Sequence, residues 1–154
     1  MSSSTLFDAA PYDPARERRK RILLAVSILA VIVVATVVYL NRYWPEEHRV
    51  NLFFQQLEAN NYESAYGVWM HDPEWKQHPQ DYKRYSFSAF YSDWGPGGEW
   101  GLIHSHKIVA AVKPRSGASG VVIGVRINDR KQLCSVRVEF KDKTLAFSPD
   151  EMVE

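Results

Sequence analysis

The stretch DWGPGGEWG, residues 93–101, separates a helical half of this chain from a half that is predicted to form strands. Gly95 suits the C-terminal cap of a preceding helix, in the left-handed conformation that glycine adopts readily. Pro96 then prevents that helix from continuing. The next two glycines turn the chain, and a strand is expected to begin near Trp100. We expect Trp100 to serve folding at the seam between helix and sheet, whereas Trp94 is left open between a folding role and a docking role.

Three helices are predicted before this stretch. The first begins at residues 44–47, WPEE, where proline occupies the first turn and the two acids face the positive end of the helix dipole. Asn60 and Asn61 end it, because asparagine tolerates the left-handed cap conformation. The second helix follows at once, and the third is expected from Pro79 to about Ser92. The apolar stripes of the first two helices are Val50, Phe53, Phe54 and Leu57, and Tyr62, Ala65, Tyr66 and Trp69.

The C-terminal side alternates strand patterns with turn signals. Residues 101–112, 121–127, 132–140 and 144–148 are predicted to be strands, and KPRSGASG at 113–120 is a loop of turn formers. Helices followed by an antiparallel meander indicate the α+β class, with about three helices packed on an antiparallel sheet of about four strands.

Residues 22–40, ILLAVSILAVIVVATVVYL, are apolar on every side, and Ser27 and Thr36 are their most polar members. As a helix this run covers roughly 28 Å, about the hydrocarbon thickness of a bilayer. A buried helix of a soluble domain fits poorly, since a basic cluster directly precedes the run. A cleaved signal peptide fits less well than an anchor, because the run exceeds a usual signal core and no Ala-x-Ala site follows. We predict an uncleaved signal anchor with a transmembrane helix over residues 22–43.

The basic cluster lies within residues 16–21, on the N-terminal flank of the apolar run. The positive-inside rule then places residues 1–21 in the cytoplasm and exports the domain of residues 44–154. Residues 1–15 lack an apolar period and are predicted to be a disordered tail. The lipid bilayer is the first expected partner, contacted through residues 22–43. The aromatic residues expected at the outer membrane interface are Tyr39, Tyr43 and Trp44.

Charge and cysteine content exclude some classes of function. Residues 1–21 carry a net charge of +2, which leaves −1 for the rest of a chain whose formal net charge is +1. The exported part therefore has no overall basic field, and we expect no nucleic-acid partner. The single cysteine, Cys134, alternates with Val136 and Val138 on the apolar face of a strand. It is predicted to be a buried, inert thiol rather than a nucleophile.

The acidic residues do not form a catalytic pattern. Glu139 alternates with apolar strand neighbours and is expected to point outward. Asp72, Asp81 and Asp93 stand beside break signals, where a carboxylate caps backbone donors. We therefore predict no catalytic residues and no enzymatic activity.

Four histidines are candidate metal ligands. His104 and His106 are two residues apart and would share one face of a strand, with His71 or His78 as a third ligand. No cysteine or acidic partner completes the spacing of a known metal site. We interpret the pair as polar residues at the frayed start of a strand, and we expect no metal and no cofactor.

Aromatic residues are unusually dense between residues 62 and 100. They indicate a core of large rings, or else a pocket or patch that docks another protein. The segment HDPEWKQHPQDY, residues 71–82, is the expected surface element, since prolines break it and its tryptophan lies outside any clear stripe. The candidate interaction residues are Trp75, Tyr82, Trp94 and Trp100.

Two segments resemble the nuclear transport factor 2-like superfamily. They are FFQQLEANNYESAYGVW at 53–69, a helix, an Asn-Asn turn and the start of a second helix, and GVRINDRKQLCSVRVEF at 124–140, a hairpin. The resemblance covers about residues 46–150. It implies a cone of helices packed on a strongly curved sheet. The superfamily includes isomerases, dehydratases and domains without activity, among them exported domains of single-span scaffold proteins in type IV secretion, whose layout is similar.

Two functions are therefore expected. The first is a non-enzymatic bitopic membrane protein whose exported domain binds a neighbouring protein, as an accessory, assembly or scaffold subunit of an envelope membrane complex. A homo-oligomer is compatible with it. The second is a small-molecule-binding or isomerase-like cone that acts on an apolar ligand near the membrane. A cone filled by its own aromatic side chains would favour the first, and a deep cavity with a buried carboxylate or paired histidines would favour the second.

Overall fold

The computed structural model describes residues 14–114 and 118–148, which form two units divided between Arg42 and Tyr43. The first unit is helix α1, Pro14–Leu40, none of whose residues is buried. It is long and apolar enough to cross a membrane. Almost all of the predicted disordered tail, and the middle of the predicted loop at 113–120, lie outside the described residues.

The two hydroxyl-bearing serine and threonine side chains in the apolar run of α1 bond within the helix. The hydroxyls of Ser27 and Thr36 each donate to the carbonyl four residues earlier, at 2.8 Å. Such back-bonding pairs these two hydroxyls without water, as a helix that crosses a membrane would require. Near the end of α1, the Arg42 guanidinium lies 4.1 Å from the ring centre of Tyr39.

The described residues of the second unit form three α-helices, two 3₁₀ turns and four strands. The helices are α2, Trp44–Glu58, α3, Tyr62–Met70, and α4, Phe87–Trp94, and the 3₁₀ turns are Trp75–Gln77 and Pro79–Tyr82. The strands are β1, His106–Val112, β2, Gly120–Ile127, β3, Leu133–Glu139, and β4, Leu145–Phe147. This arrangement confirms the α+β class with an antiparallel sheet of four strands.

The sheet is a meander in the order β1-β2-β3-β4, with every neighbouring pair antiparallel. Asn128 and Asp129 make the β2–β3 turn with φ of 49° and 57°, which suits the twist of a hairpin. The inward face predicted for β2 is confirmed, because Val121, Ile123, Val125 and Ile127 are all fully buried, but Val122 on the opposite face is buried too, at 2 % exposed, so burial does not alternate along this strand. The helices pack on the inward face.

The core between helices and sheet is built largely from aromatic rings. The predicted stripe of α2 is confirmed, since all four of its members are at most 1 % exposed. Phe53 lies at the centre, with its ring 5.1 Å from Trp69 and 5.0 Å from Trp94. Trp94 in turn stacks on Phe147 of β4 at 5.6 Å. These contacts tie the helices to the last strand.

The third helix is shorter than the sequence predicts. Residues 79–82 form a 3₁₀ turn, and α4 begins only at Phe87. The reason is a competing start signal at Ser86, which has extended backbone and accepts a hydrogen bond from the Ala89 N–H at 3.3 Å. A cap at Ser86 cannot lie inside a continuous helix.

The transition at residues 93–101 also differs in detail. Gly95 has φ of −76°, so the predicted left-handed cap is wrong. It is Gly101 that has positive φ, at 63°. The strand begins at His106 rather than near Trp100, which lies in a turn. Trp100 is held there by Arg130, whose guanidinium donates to the Trp100 carbonyl at 3.2 Å.

Candidate docking groove

A groove of about 480 Å³ lies between α2, α3 and the first 3₁₀ turn. Its α2 wall is the outer stripe Arg49, Leu52 and Gln56, whose i, i+3, i+7 spacing places them on one helix face. The buried stripe of α2 points instead into the core. The volume falls within the range of ligand-binding clefts, and its open form suits a segment laid along it.

The α3 wall contains Ser64, Val68 and His71, again along one helix face. Gly67 lies between these residues, and the segment that follows α3 packs directly against it. A Cβ at Gly67 would lie 3.1 Å from the carbonyl oxygen of Asp72 and 3.6 Å from a ring carbon of Trp75. The glycine therefore lets the rim of the groove pack tightly against α3.

Trp75 forms that rim. Its indole N–H donates to the Glu63 carbonyl at 3.2 Å, and its ring stacks on Phe87 at 5.1 Å and meets Tyr66 edge-on at 4.7 Å. The neighbouring Lys76 forms an ion pair with the Glu63 carboxylate. Trp75 is thus half-buried in a fixed orientation, with part of its surface left on the groove.

Asp72 fixes the segment that carries this tryptophan. One carboxylate oxygen accepts the Tyr82 hydroxyl at 2.6 Å and lies 2.6 Å from Nε2 of His78, and the other accepts the Glu74 N–H at 2.9 Å. The Tyr82 hydrogen bond, followed by those from Glu74 and His78, lowers the pKa of Asp72. The same hydrogen bond raises the pKa of Tyr82 to about 12. Asp72 thus accepts one backbone N–H, as the sequence interpretation expects, but it caps no α-helix, and its other oxygen is engaged by the side chains of Tyr82 and His78.

Arg49 supplies the charge of the groove. One of its Nη nitrogens donates to the Val68 carbonyl at 2.9 Å, while its Nε is buried and has no acceptor among the described residues. No described carboxylate forms an ion pair with it. Burial lowers the pKa of the guanidinium, but an arginine side chain does not lose its proton in proteins, so the group stays charged.

The four candidate interaction residues separate into two pairs. Trp94 and Trp100 are 1 % and 6 % exposed and belong to the core, so neither presents its ring to a partner. Trp75 and Tyr82 are half-buried and lie on the segment at the groove rim. Of the residues expected at a membrane interface, Trp44 is 58 % exposed and Tyr39 is 63 % exposed, whereas Tyr43 is half-buried.

The histidine pair does not converge. His104 is exposed, and its backbone N–H donates to the Asn128 side chain at 2.8 Å. His106 instead turns towards α2, with Nδ1 2.6 Å from the Glu58 carboxylate and Nε2 2.7 Å from the Asn51 side-chain oxygen. Within residues 14–114 and 118–148, no three His, Cys, Asp or Glu side chains lie close enough to hold a metal ion.

The contact between His106 and Glu58 was missed by sequence reasoning. A signal for it existed, because Asn51 and Glu58 are seven residues apart and therefore share a face of α2 beside the apolar stripe. Nothing in the sequence of either segment indicates that β1 crosses that face. His106 thus has an acidic partner after all, Glu58 of α2, which is 48 residues away along the chain.

A second, more polar cleft of about 320 Å³ lies at the transition between α4 and the strands. Asp93, Glu99, Trp100 and the half-exposed Phe147 line it. The Asp93 carboxylate accepts the Tyr85 hydroxyl at 2.8 Å, and burial together with this bond raises the pKa of Tyr85. The groove beside Trp75 is the larger and more apolar of the two.

The chain matches no protein-family model, no curated protein and no solved structure. The class of this protein is therefore taken from its fold and its candidate site. The described residues comprise a helix long enough to span a membrane and an α+β domain with a groove between two of its helices.

Proposed function

We propose that this is a bitopic membrane protein whose exported domain, of the nuclear transport factor 2-like type, docks a neighbouring protein in the groove beside Trp75. It would act without enzymatic activity, as an accessory, assembly or scaffold subunit of an envelope membrane complex. The observation that carries the docking role is the open, largely apolar groove, whose rim tryptophan is fixed by hydrogen bonds and ring contacts. Rigid aromatic anchors of this kind dominate protein–protein interfaces.

Membrane attachment is supported by α1, which has no buried residue and whose Ser27 and Thr36 hydroxyls bond to their own helix. The orientation rests on the basic cluster at 16–21. A reporter that is active only outside the cytoplasm, fused after Glu154, is expected to be active. A matched reporter that works only in the cytoplasm is expected to be inactive there, and activity of the second fusion instead would contradict the orientation.

A binding role is supported over a catalytic one by the packing of the interior. Aromatic rings of α2, α3, α4 and β4 occupy the space between helices and sheet. The half-buried His106–Glu58 pair is the feature that would favour an enzyme. Both ring nitrogens of His106 already face protein oxygens, and Phe54 stacks on its ring at 5.3 Å. No ring nitrogen is left to receive a proton from a substrate, so the pair supports the join between α2 and β1.

The proposed role is tested by photo-crosslinking in intact membranes. A photoreactive residue at Ser64, which is exposed in the groove, is expected to capture one neighbouring membrane protein, and Trp75→Ala is expected to reduce that capture. The control is the same residue at Ser88, an exposed position on α4 outside the groove. Equal capture at both positions, or an adduct made only of a second copy of this chain, would refute docking of another protein in the groove.

A further inference from the structure

We infer that the groove selects an acidic amphipathic segment, one that places apolar side chains along Leu52, Val68 and Trp75 and a carboxylate on Arg49. This inference rests on the proposed docking function and specifies the chemistry of the docked partner. Arg49 is the residue that would recognise the carboxylate of the partner.

One charged side chain of the groove, that of Arg49, is not balanced by an opposite charge in the described residues. Glu63, an acidic residue of the lining, is paired with Lys76, so these two charges cancel. Arg49 has no such partner among the described residues, and only one of its donors is engaged, by the Val68 carbonyl. A guanidinium carries five N–H donors, and a carboxylate accepts two of them in parallel. The uncompensated cation therefore favours a ligand with a negative charge.

The shape of the groove favours a protein segment. Residues 59–61 join α2 to α3, and so short a connection makes the two helices antiparallel neighbours. Each helix wall offers one large apolar side chain, Leu52 on α2 and Val68 on α3, and Trp75 adds a third at the rim. Three such positions can receive the apolar anchors of an amphipathic helix. The Arg49 bond to Val68 holds the cation against the α3 wall, in contact with whatever lies along it.

A lipid phosphate fits less well. Phosphate recognition draws on several converging donors, and two of the three side chains of the lining that can carry a positive charge are already engaged. Lys76 pairs with Glu63, and His71 donates Nδ1–H to the Asp142 carbonyl at 2.5 Å. Arg49 alone is left, together with an apolar surface. One carboxylate on an apolar segment matches that combination.

The test uses the full chain in micelles of an uncharged detergent and three fluorescein-labelled helical peptides. The peptides share one leucine face and differ only in carrying Glu, Gln or Lys at the position flanking it. By fluorescence anisotropy, the Glu peptide is expected to bind about tenfold more tightly than the Gln peptide, as for a charge-assisted hydrogen bond. Arg49→Gln is expected to abolish this preference and Arg49→Lys to keep part of it.

Arg84→Gln is the matched control, because Arg84 is exposed and lies outside the groove. It is expected to leave the preference intact, and melting curves of all variants check that Arg49→Gln remains folded. Equal binding of the Glu and Gln peptides overturns the inference, as does a preference that survives in Arg49→Gln. Displacement of the peptide by vesicles of anionic phospholipid, but not by zwitterionic vesicles, assigns the site to a headgroup and also overturns it. Failure here with successful crosslinking at Ser64 refutes only the acidic selectivity, whereas failed crosslinking refutes the docking function itself.

Discussion

At the scale of single residues, the turn after α4 is controlled by backbone carbonyls rather than by left-handed conformation. A Cβ at Gly95 would lie 2.4 Å from the Tyr91 carbonyl oxygen, and one at Gly98 would lie 2.0 Å from that of Asp93. Both distances are well below van der Waals contact, and a backbone oxygen cannot rotate away. These glycines are required because the chain folds back onto the end of its own helix.

Gly98→Ala is therefore expected to lower the free energy of unfolding by about 1–3 kcal/mol, the usual range for overpacking. Gly97→Ala is the control, since nothing lies within 4 Å of a Cβ placed there. It should leave stability unchanged or raise it by up to about 1 kcal/mol, through the reduced entropy of the unfolded chain. Urea titration of both variants measures the difference, and equal stabilities would contradict the steric argument.

Cys134 is confirmed as a buried residue, 4 % exposed on β3. Burial, with a smaller effect from the charge of Glu99, raises the pKa of its thiol to about 12. Because the folded state holds this proton more tightly than the unfolded chain does, the resulting stability is present below the ordinary thiol pKa of about 8.5 and declines as the pH rises above it.

Cys134→Ser should lower the free energy of unfolding at pH 7 by about 1–3 kcal/mol, because it buries a hydroxyl. The difference in free energy of unfolding between the wild type and this variant should decrease as the pH rises above about 8.5, since serine does not titrate there. Denaturant titrations at pH 7, 8.5 and 10 measure this trend. Rapid labelling of the native thiol at pH 8 would contradict its burial.

At the scale of elements, the two tryptophans that flank the turn have different roles. The Trp94 ring packs against Phe53, Phe54, Trp69 and Phe147, with centroid distances between 5.0 and 5.8 Å. In the described part of the chain Trp100 has a guanidinium 5.6 Å from its ring centre and no aromatic neighbour. The residue whose role the sequence left open is thus the one that joins helices to sheet.

Trp94→Ala should lower stability by about 3–5 kcal/mol, the cost of removing a large ring from a packed core. Trp100→Ala should cost at least about 1 kcal/mol less, because no ring pairs are lost with it. Melting curves of the two variants, recorded side by side, measure the order. The reverse order would show that the turn, rather than the aromatic cluster, holds helices and strands together.

The segment between α3 and α4 has little regular structure and depends on Asp72 for its form. Asp72→Asn is expected to speed amide hydrogen exchange across residues 74–82 while leaving exchange in β2 and β3 unchanged. Asp81→Asn, a change at an exposed aspartate on the same segment, is the control. If both variants exchange like the wild type, the carboxylate is not what orders the groove rim.

The pH dependence follows from the direction of the Asp72 pKa. Because hydrogen bonds lower it in the folded state, the carboxylate contributes stability above its ordinary pKa of about 3.9 and loses it as the pH falls through the lowered value. Exchange in residues 74–82 of the wild type should therefore be slow at pH 5 and increase, relative to the sheet, only below about pH 4.

At the scale of the whole molecule, the boundary between Arg42 and Tyr43 separates two units that differ in how they are stabilised. Helix α1 buries none of its own side chains, whereas the second unit has a core that includes 19 buried residues. The second unit should therefore fold without the first. Under the proposed membrane attachment, the exposed apolar side chains of α1 would instead be covered by lipid.

A chain of residues 43–154 alone is expected to be soluble, monomeric and cooperatively folded. Its melting temperature should agree with that of the full chain in mild detergent to within about 2 °C, the shift that corresponds to about 0.5 kcal/mol. Circular dichroism and sedimentation of both proteins provide the comparison. A truncated chain without a cooperative transition would show that the anchor is needed for the fold.

The local features of this protein were determined by the sequence alone. The apolar run of α1, the i, i+3, i+4, i+7 stripe of α2 and the alternation of β3, which buries Cys134, all depend on the pattern within one element. Such periodicity is visible because a helix or strand turns each residue towards a known face. The α+β class follows from the order of these elements.

The groove and its chemistry were decided only by the tertiary structure. Arg49 and Val68 are 19 residues apart, and His106 is 48 residues from Glu58. Whether such side chains meet depends on how helices pack against each other and on the sheet, and no periodicity within either segment records that packing. For the same reason the sequence predicted Trp75 as a surface residue, but it did not predict that Arg49 lines the same groove.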